Sequence, residues 1–168
     1  MKMVDGNVFN SNATFIMHQV NCKGVMGSGV AKQVKERYPN VFYAYKRRCD
    51  AFSPKILLGT AQLVETNKDY NTEFVGIFNL FSQDAFGYDG KKYTDYSALR
   101  RCLFIVNETC KELNTIEKPT VAMPFLMGCD RGGGDWDTVC KIIDETLTDC
   151  QVLCYKFGKN SGDINGNK

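Results

Sequence analysis

Three acid–base side chains and two glycine-rich turns carry most of the chemistry open to this chain. His18 is the only histidine among 168 residues and lies in a β-rich run, Thr14 to Val20, that is apolar up to it. A neutral imidazole there could orient water or protonate a leaving oxygen near neutral pH, or simply be a hydrogen-bonded histidine under the next turn. Asp130 and Asp135 lie in the turn Gly128-Cys-Asp-Arg-Gly-Gly-Gly134-Asp-Trp136, where a carboxylate could activate water. Asp135 also stands just before a helical pattern, the place of an N-cap. The other turn, Gly24-Val-Met-Gly27-Ser-Gly29, can bare backbone N–H groups to an anion and aim them with a helix dipole. Cys22 and Cys129 flank the turns without a local histidine-based motif, so packing is the better reading for both.

The elements that must position these residues follow from hydrophobic period and turn chemistry. Lys2 to Val4 is a short strand candidate, and Asp5-Gly6-Asn7 a turn before Val8-Phe9. Thr14 to Val20 reads as a strand covered on both faces. After the first glycine turn, Val30, Val34 and Tyr38 recur at helical spacing with Lys32, Lys35 and Glu36 turned away, and Pro39 stops that helix. Phe42 to Phe52 reads as a second, aromatic helix. Gly59 to Glu65 and Glu73 to Phe81 are strands expected to pair, across a turn at Asn67 to Asn71. A polar loop, Ser82 to Lys92, precedes a helix with Leu99, Leu103, Val106, Cys110 and Leu113 inward. Thr120 to Leu126 is a buried strand. The second glycine turn then leads into a helix with Val139, Ile142, Ile143 and Leu147 inward. Gln151 to Tyr155 is read as the strand that closes the sheet, and Gly158 to Lys168 as a frayed tail.

Alternating strands and helices predict an α/β fold with a mixed, largely parallel sheet and helices on both faces. Both glycine turns directly follow strands, so right-handed crossovers would bring them to one sheet edge, where ligands bind in such folds. The length suits one domain, 1–157, followed by the tail 158–168. With 21 basic and 19 acidic residues, the charge balance argues against electrostatically driven nucleic-acid binding. The eight cysteines form no Cys-x-x-Cys pair and, with one histidine, give no zinc spacing, so no metal is expected and reduced thiols are. No apolar run reaches bilayer length, and the opening MKMVDGNVF lacks a secretory apolar core. No membrane partner is therefore expected, and the expected location is the cytoplasm.

The first turn fails two phosphate-binding patterns at named positions. A P-loop counted from Gly24 needs lysine where Val30 stands, and a dinucleotide fingerprint from Gly27 and Gly29 needs glycine where Lys32 stands. The two turns together, His18-Gln-Val-Asn21-Cys-Lys-Gly24-Val-Met-Gly27-Ser-Gly29-Val-Ala31 and Gly128 to Trp136, do resemble the macro domain family. The likeness is strongest to its branch of ADP-ribose 1''-phosphate phosphatases and ADP-ribosyl hydrolases, and it spans Met3 to about Tyr155.

That resemblance implies a three-layer α/β/α fold and a ligand that is ADP-ribose or a derivative, with an ADP-ribosylated macromolecule as a further partner. It implies no cofactor, and the chain is expected to be a monomer. Asn7 and Val8 would meet the adenine, Tyr155 would stack near it or form a rim, and Asn21 would contact the distal ribose. Gly27, Ser28, Gly29, Val30 and Ala31 would cradle the diphosphate, while Gly128, Cys129, Gly132, Gly133 and Gly134 would close the other side. His18 matches a catalytic histidine of the phosphatases, and Asp130 or Asp135 would activate water against the anomeric carbon or a phosphate. The branch that cleaves glutamate esters uses a lysine near the end of the strand matched by Phe78 to Gln83. This chain has none before Lys91 and Lys92, so carboxylate-assisted water attack suits it better. The implied function is a hydrolase acting at the 1'' position, with a non-catalytic ADP-ribose reader, or a protein that sequesters an NAD-derived signalling nucleotide, as the alternatives.

Overall fold

The structure, a computed structural model, describes residues 1–70, 72–113 and 116–158; most of the expected tail lies outside them. Its strands are β1 (Lys2–Asp5), β2 (Phe15–Asn21), β3 (Ala61–Glu65), β4 (Gly76–Gln83), β5 (Thr120–Pro124) and β6 (Gln151–Lys156). They form one sheet in the order β1-β6-β5-β2-β4-β3. Every neighbouring pair is parallel except β3 with β4. The helices are α1 (Gly29–Arg37), α2 (Pro39–Ala51), α3 (Pro54–Leu57), α4 (Asn67–Tyr70), α5 (Tyr96–Glu112) and α6 (Trp136–Thr146).

Strand alternation sorts the core into two layers. Phe15, Met17, Phe78, Leu80, Val121 and Met123 face one side of the sheet and pack with Leu99, Leu103 and Val106 of α5 and with Val139, Ile142 and Ile143 of α6. Ile16, Val20, Ile77, Phe81 and Ala122 face the other side, against Val34 of α1, Val41 and Tyr45 of α2 and Leu57 of α3. All eight residues of β4 are buried, as expected of a central strand covered on both faces. The result is the expected three-layer α/β/α arrangement.

Four details depart from the sequence reading. Gln151–Lys156 does not close the sheet: it lies between β1 and β5, and the short, exposed β1 takes that edge. An exposed edge suits a strand of four residues, whereas β6 buries Val152 and Cys154. The second helix begins at Pro39, so the proline that ends α1 also opens α2, its fixed φ suiting the first helical position. Leu113 is the exposed C-cap of α5 and not an inward residue. Asn67–Tyr70 forms a short helix where a turn was expected.

Candidate functional site

A cleft of about 230 Å³ opens at the carboxyl ends of the parallel strands. One wall is the end of β2 with the first glycine turn and the start of α1. The other is the loop from Phe125 to Gly132, and Gln83, Phe86 and Tyr88 close the end beyond β4.

Asn21 shapes the first wall. Its Oδ1 accepts from the Lys23 N–H at 2.9 Å, and its Nδ2 donates to the Val25 carbonyl at 2.7 Å. The fully buried Tyr45 hydroxyl lies 2.8 Å from the same Oδ1. Burial raises the Tyr45 phenol above its ordinary pKa, so it remains a donor. Asn21 lines the cleft as expected, but these bonds engage its amide in bracing the turn. Gly24 is left-handed at φ 76°, and a Cβ there would lie 2.9 Å from Lys46 Cδ.

The turn delivers the chain to α1 with Ser28 as N-cap, and that side chain makes no capping hydrogen bond. The first turn of α1 also carries no acidic residue. The N–H groups of Gly29, Val30 and Ala31, which lack acceptors within the helix, therefore meet the cleft without a competing protein anion. Gly27, Ser28, Gly29, Val30 and Ala31 all line it.

The second wall is clamped to the sheet by neutral side chains. Ser82 Oγ donates to Gln19 Oε1 at 2.7 Å, while Gln19 Nε2 donates to Gln83 Oε1 at 2.6 Å and to Thr94 Oγ1 at 2.8 Å. Thr94 Oγ1 donates in turn to the Gly128 carbonyl at 2.6 Å. The N–H groups of Tyr93 and Thr94 both reach the Gly132 carbonyl, at 2.8 and 2.9 Å. The approach is so close that a Cβ on Gly132 would sit 2.4 Å from Thr94 Oγ1 and 2.5 Å from the Gly128 oxygen. Gly128 and Gly133 have φ of 77° and 64°, and Leu126, without glycine's freedom, has φ 58°. Such a conformation persists only where its surroundings hold it, here at the lip of the cleft.

His18 lines the cleft floor but is tied into the layer beneath it. Gln62 Nε2 donates to the Ala44 carbonyl at 3.2 Å, Asn79 Nδ2 to Gln62 Oε1 at 3.2 Å, and Asn79 Oδ1 lies 2.7 Å from His18 Nε2. Read from the carbonyl outward, this chain makes Nε2 the protonated nitrogen of His18. His18 Nδ1 is buried and has no hydrogen-bond partner. Burial lowers the imidazole from 6.5 to about 4, against the raising effect of Asn79. Burial thus disfavours the charged ring, and the Nε2 proton is engaged by Asn79.

Of the other expected residues, Asp130, Gly128 and Gly132 line the cleft. Asp135 does not: it is the N-cap of α6, accepting from the Thr138 N–H at 2.8 Å and from the Thr138 hydroxyl at 2.7 Å, bonds that hold its carboxyl below the ordinary range. Cys129, Gly133 and Gly134 shape the second turn outside the lining, and the Gly134 N–H bonds the Gly128 carbonyl at 2.9 Å. Asn7, Val8 and Tyr155 also lie outside it. Asn7 Oδ1 caps a 3₁₀ turn by accepting from the Phe9 N–H at 3.0 Å, Val8 is in the core, and the Tyr155 carbonyl accepts from the Phe125 N–H at 2.8 Å. Burial pushes Cys22 up to about 12 and Cys129 to about 11, so neither is a thiolate nucleophile. Lys91 pairs with Asp89 at 2.9 Å and Lys92 lies over the Tyr96 ring; neither lines the cleft.

Sequence reasoning missed Gln19, Gln83, Thr94, Phe86, Tyr88 and Arg131. Glutamines near the ends of two apolar strands were a signal for the first pair. Nothing local marked Thr94.

A mostly parallel α/β sheet thus carries at its carboxyl edge a cleft lined by an uncapped helix N-terminus and by a glycine loop. The Macro domain model matches residues 17–143, and the chain belongs to that family. An uncharacterized 17.5 kDa protein of Enterobacteria phage T4 is 34% identical over 138 residues, covering 82% of this chain and 83% of that one. The DNA ADP-ribosyl glycohydrolase of Mycobacterium tuberculosis is 30% identical over 165 residues, covering 96% of this chain but only 43% of the relative's length. The solved macrodomain of Mycobacterium tuberculosis DarG is 25% identical with a TM-score of 0.75, over 92% of this chain and 95% of that one.

Proposed function

We propose that the chain binds ADP-ribose-containing ligands in this cleft and hydrolyses the bond at the 1'' position. The observation that carries the reading is the uncapped N-terminus of α1, whose Gly29 to Ala31 line the same cleft as the Gly128 to Gly132 loop. Backbone donors and the helix dipole there neutralise phosphate charge without a lysine or a metal. The mycobacterial relative's name, which assigns it removal of ADP-ribose from DNA, supports the same ligand.

For the chemistry, Asp130 is the carboxylate in the cleft lining, and it is assigned to activate water against the anomeric carbon or a 1''-phosphate. His18 is a positioning residue: its neutral ring holds the floor of the first wall through Asn79. Gln83, at the end of β4, supports the Gln19 network and supplies no amine for an adduct.

The test is calorimetry with ADP-ribose together with turnover of ADP-ribose 1''-phosphate and of an ADP-ribosyl ester. Wild-type protein should bind ADP-ribose and turn over at least one of the two. Asp130→Asn should lose about a hundredfold or more in turnover with binding changed only a few fold. Failure of the wild type to bind ADP-ribose would overturn the reading. Tight binding with no turnover would instead favour a reader, a second reading motivated by the low-pKa His18 and the absence of a lysine from the cleft lining.

A further inference from the structure

The two helical layers differ in charge. α1, α2 and α3 together carry seven Lys and Arg residues against two acidic ones, a net +5 in a chain whose net charge is +2. α5 and α6, on the other side of the sheet, carry four against five, a net −1. There the charges are matched, with Arg100 and Lys141 both paired to Glu145, at 2.9 and 3.9 Å. On the first side Lys32 pairs with Glu36 and Lys46 with Asp50, which uses both acids. Among the described residues Lys35, Arg47 and Lys55 form no ion pair, and all three are exposed.

These unpaired cations are interleaved with exposed apolar groups. Lys35 Nζ lies 4.4 Å from the centre of the Phe42 ring, which joins the outer face of α1 to that of α2. Tyr43, 68% exposed, follows at a ring separation of 5.9 Å. Arg47 stands one helical turn beyond Tyr43 on the same face of α2. Past the end of that helix Phe52 and Ile56 are 48% and 61% exposed, with Lys55 next to Ile56 in the chain. The stripe lies away from the cleft, which takes only Gly29, Val30 and Ala31 from α1 and nothing from α2 or α3. Tyrosine and arginine are the residues on which protein interfaces concentrate their binding energy. A phosphate backbone carries a charge at every step and would meet Glu36 and Asp50 as well, and a nucleic-acid base finds no ring at Ile56. An amphipathic helix can set carboxylates opposite Lys35, Arg47 and Lys55 alone and lay aliphatic side chains on Tyr43, Phe52 and Ile56.

We propose that the outer face of α1, α2 and α3 is a docking surface for an acidic amphipathic helix of another protein. Charge complementarity selects the partner and sets its register, and the exposed rings and Ile56 supply the apolar contact. Because the surface is separate from the cleft, the helix and a cleft ligand can be bound at the same time, and the proposal stands whatever the cleft does.

The test titrates the full chain with three helix-stapled peptides about as long as α2: one with a row of leucines flanked by glutamates, one with serine for each leucine, and one with lysine for each glutamate. The first should bind about tenfold tighter than either of the others, and the backbone amide chemical shifts that it moves should belong to residues 32–57. Arg47→Glu should weaken that peptide about tenfold by placing like charges together, and Tyr43→Ala combined with Phe52→Ala should do the same by removing the apolar contact. Circular dichroism checks that the variants fold. No binding of the first peptide up to about 1 mM, shifts centred on another face, or unchanged affinity in Arg47→Glu would each overturn the proposal. Tighter binding of an oligothymidylate, or of phosphatidylcholine vesicles with about 30% phosphatidylserine, to the same face would overturn it in favour of a nucleic acid or a membrane surface.

Discussion

The two glycine loops look alike in sequence, each following a strand and leading into a helix, yet they end in opposite ways. The first runs into α1 through Ser28, which leaves the helix N-terminus open. The second runs into α6 through Asp135, whose carboxylate takes the Thr138 N–H and hydroxyl and fills that N-terminus from within the protein. Glycine in both loops supplies tight backbone paths, and one side chain at the cap decides which helix can accept an external anion. The supports differ too. The first loop stands beside buried, titratable His18, and the second rests on glutamine, threonine and backbone carbonyls that do not ionise.

That contrast can be broken at four points. The largest effect is expected from acid. His18 is depressed from 6.5 to about 4 in the fold, so between these values the unfolded chain binds a proton that the folded chain refuses. The His18 contribution is present in full above pH 6.5, falls as the pH drops, and levels off near pH 4, for a total of about 3 kcal/mol. His18→Gln should remove that part of the slope, read as the difference between the two unfolding curves from pH 7 to pH 4. A constant difference would show that His18 does not titrate as its burial demands.

Ser28→Asp gives α1 the cap that α6 already has. ADP-ribose affinity should fall about a hundredfold as the new carboxylate occupies and repels the anion site, while thermal stability holds or rises by up to about 1 kcal/mol. Undiminished ADP-ribose binding, measured by calorimetry, would move the diphosphate away from α1. Gly132→Ala should destabilise the protein by about 2 kcal/mol, because the added methyl meets Thr94 Oγ1 and the Gly128 carbonyl with no room to shift; denaturant titration checks this. The mirror of the second change, Asp135→Ala, should lower stability by about 1 kcal/mol and leave ADP-ribose affinity within about twofold, since the lost cap faces no ligand. A large affinity loss there would bring Asp135 back into the chemistry.

Much of the fold was legible because its signals are local. The 3.6-residue recurrence of Leu99, Leu103 and Val106, the stop at Pro39 and the apolar runs of β2, β4 and β5 depend on neighbours within a turn or two. The pairing of β3 with β4 followed from their short connection. The place of β6 did not, because strand order depends on which edge a later strand finds. In the site, both glycine loops were legible from the spacing of their glycines, and the residues from Gly27 to Ala31 from the resemblance that the two loops together carry. The roles of His18 and Asn21 were not, since Asn79 and Tyr45 decide them from 61 and 24 residues away. Nor was the clamp on the second loop, whose members Gln19, Gln83 and Thr94 are scattered along the chain.

Taken alone, the sequence determined where strands and helices form, that two glycine turns follow strands, and which few side chains could do acid–base work. Those properties arise from backbone conformation and short-range periodicity, which a chain carries with it before it folds. Tertiary structure alone decided that burial disfavours a charged His18, that Asp130 and not Asp135 reaches the cleft, and that α1, unlike α6, is left without a side-chain cap at its N-terminus. Burial, solvent access and competition for hydrogen-bond partners are set by residues far apart in sequence, and they exist only once the layers have packed.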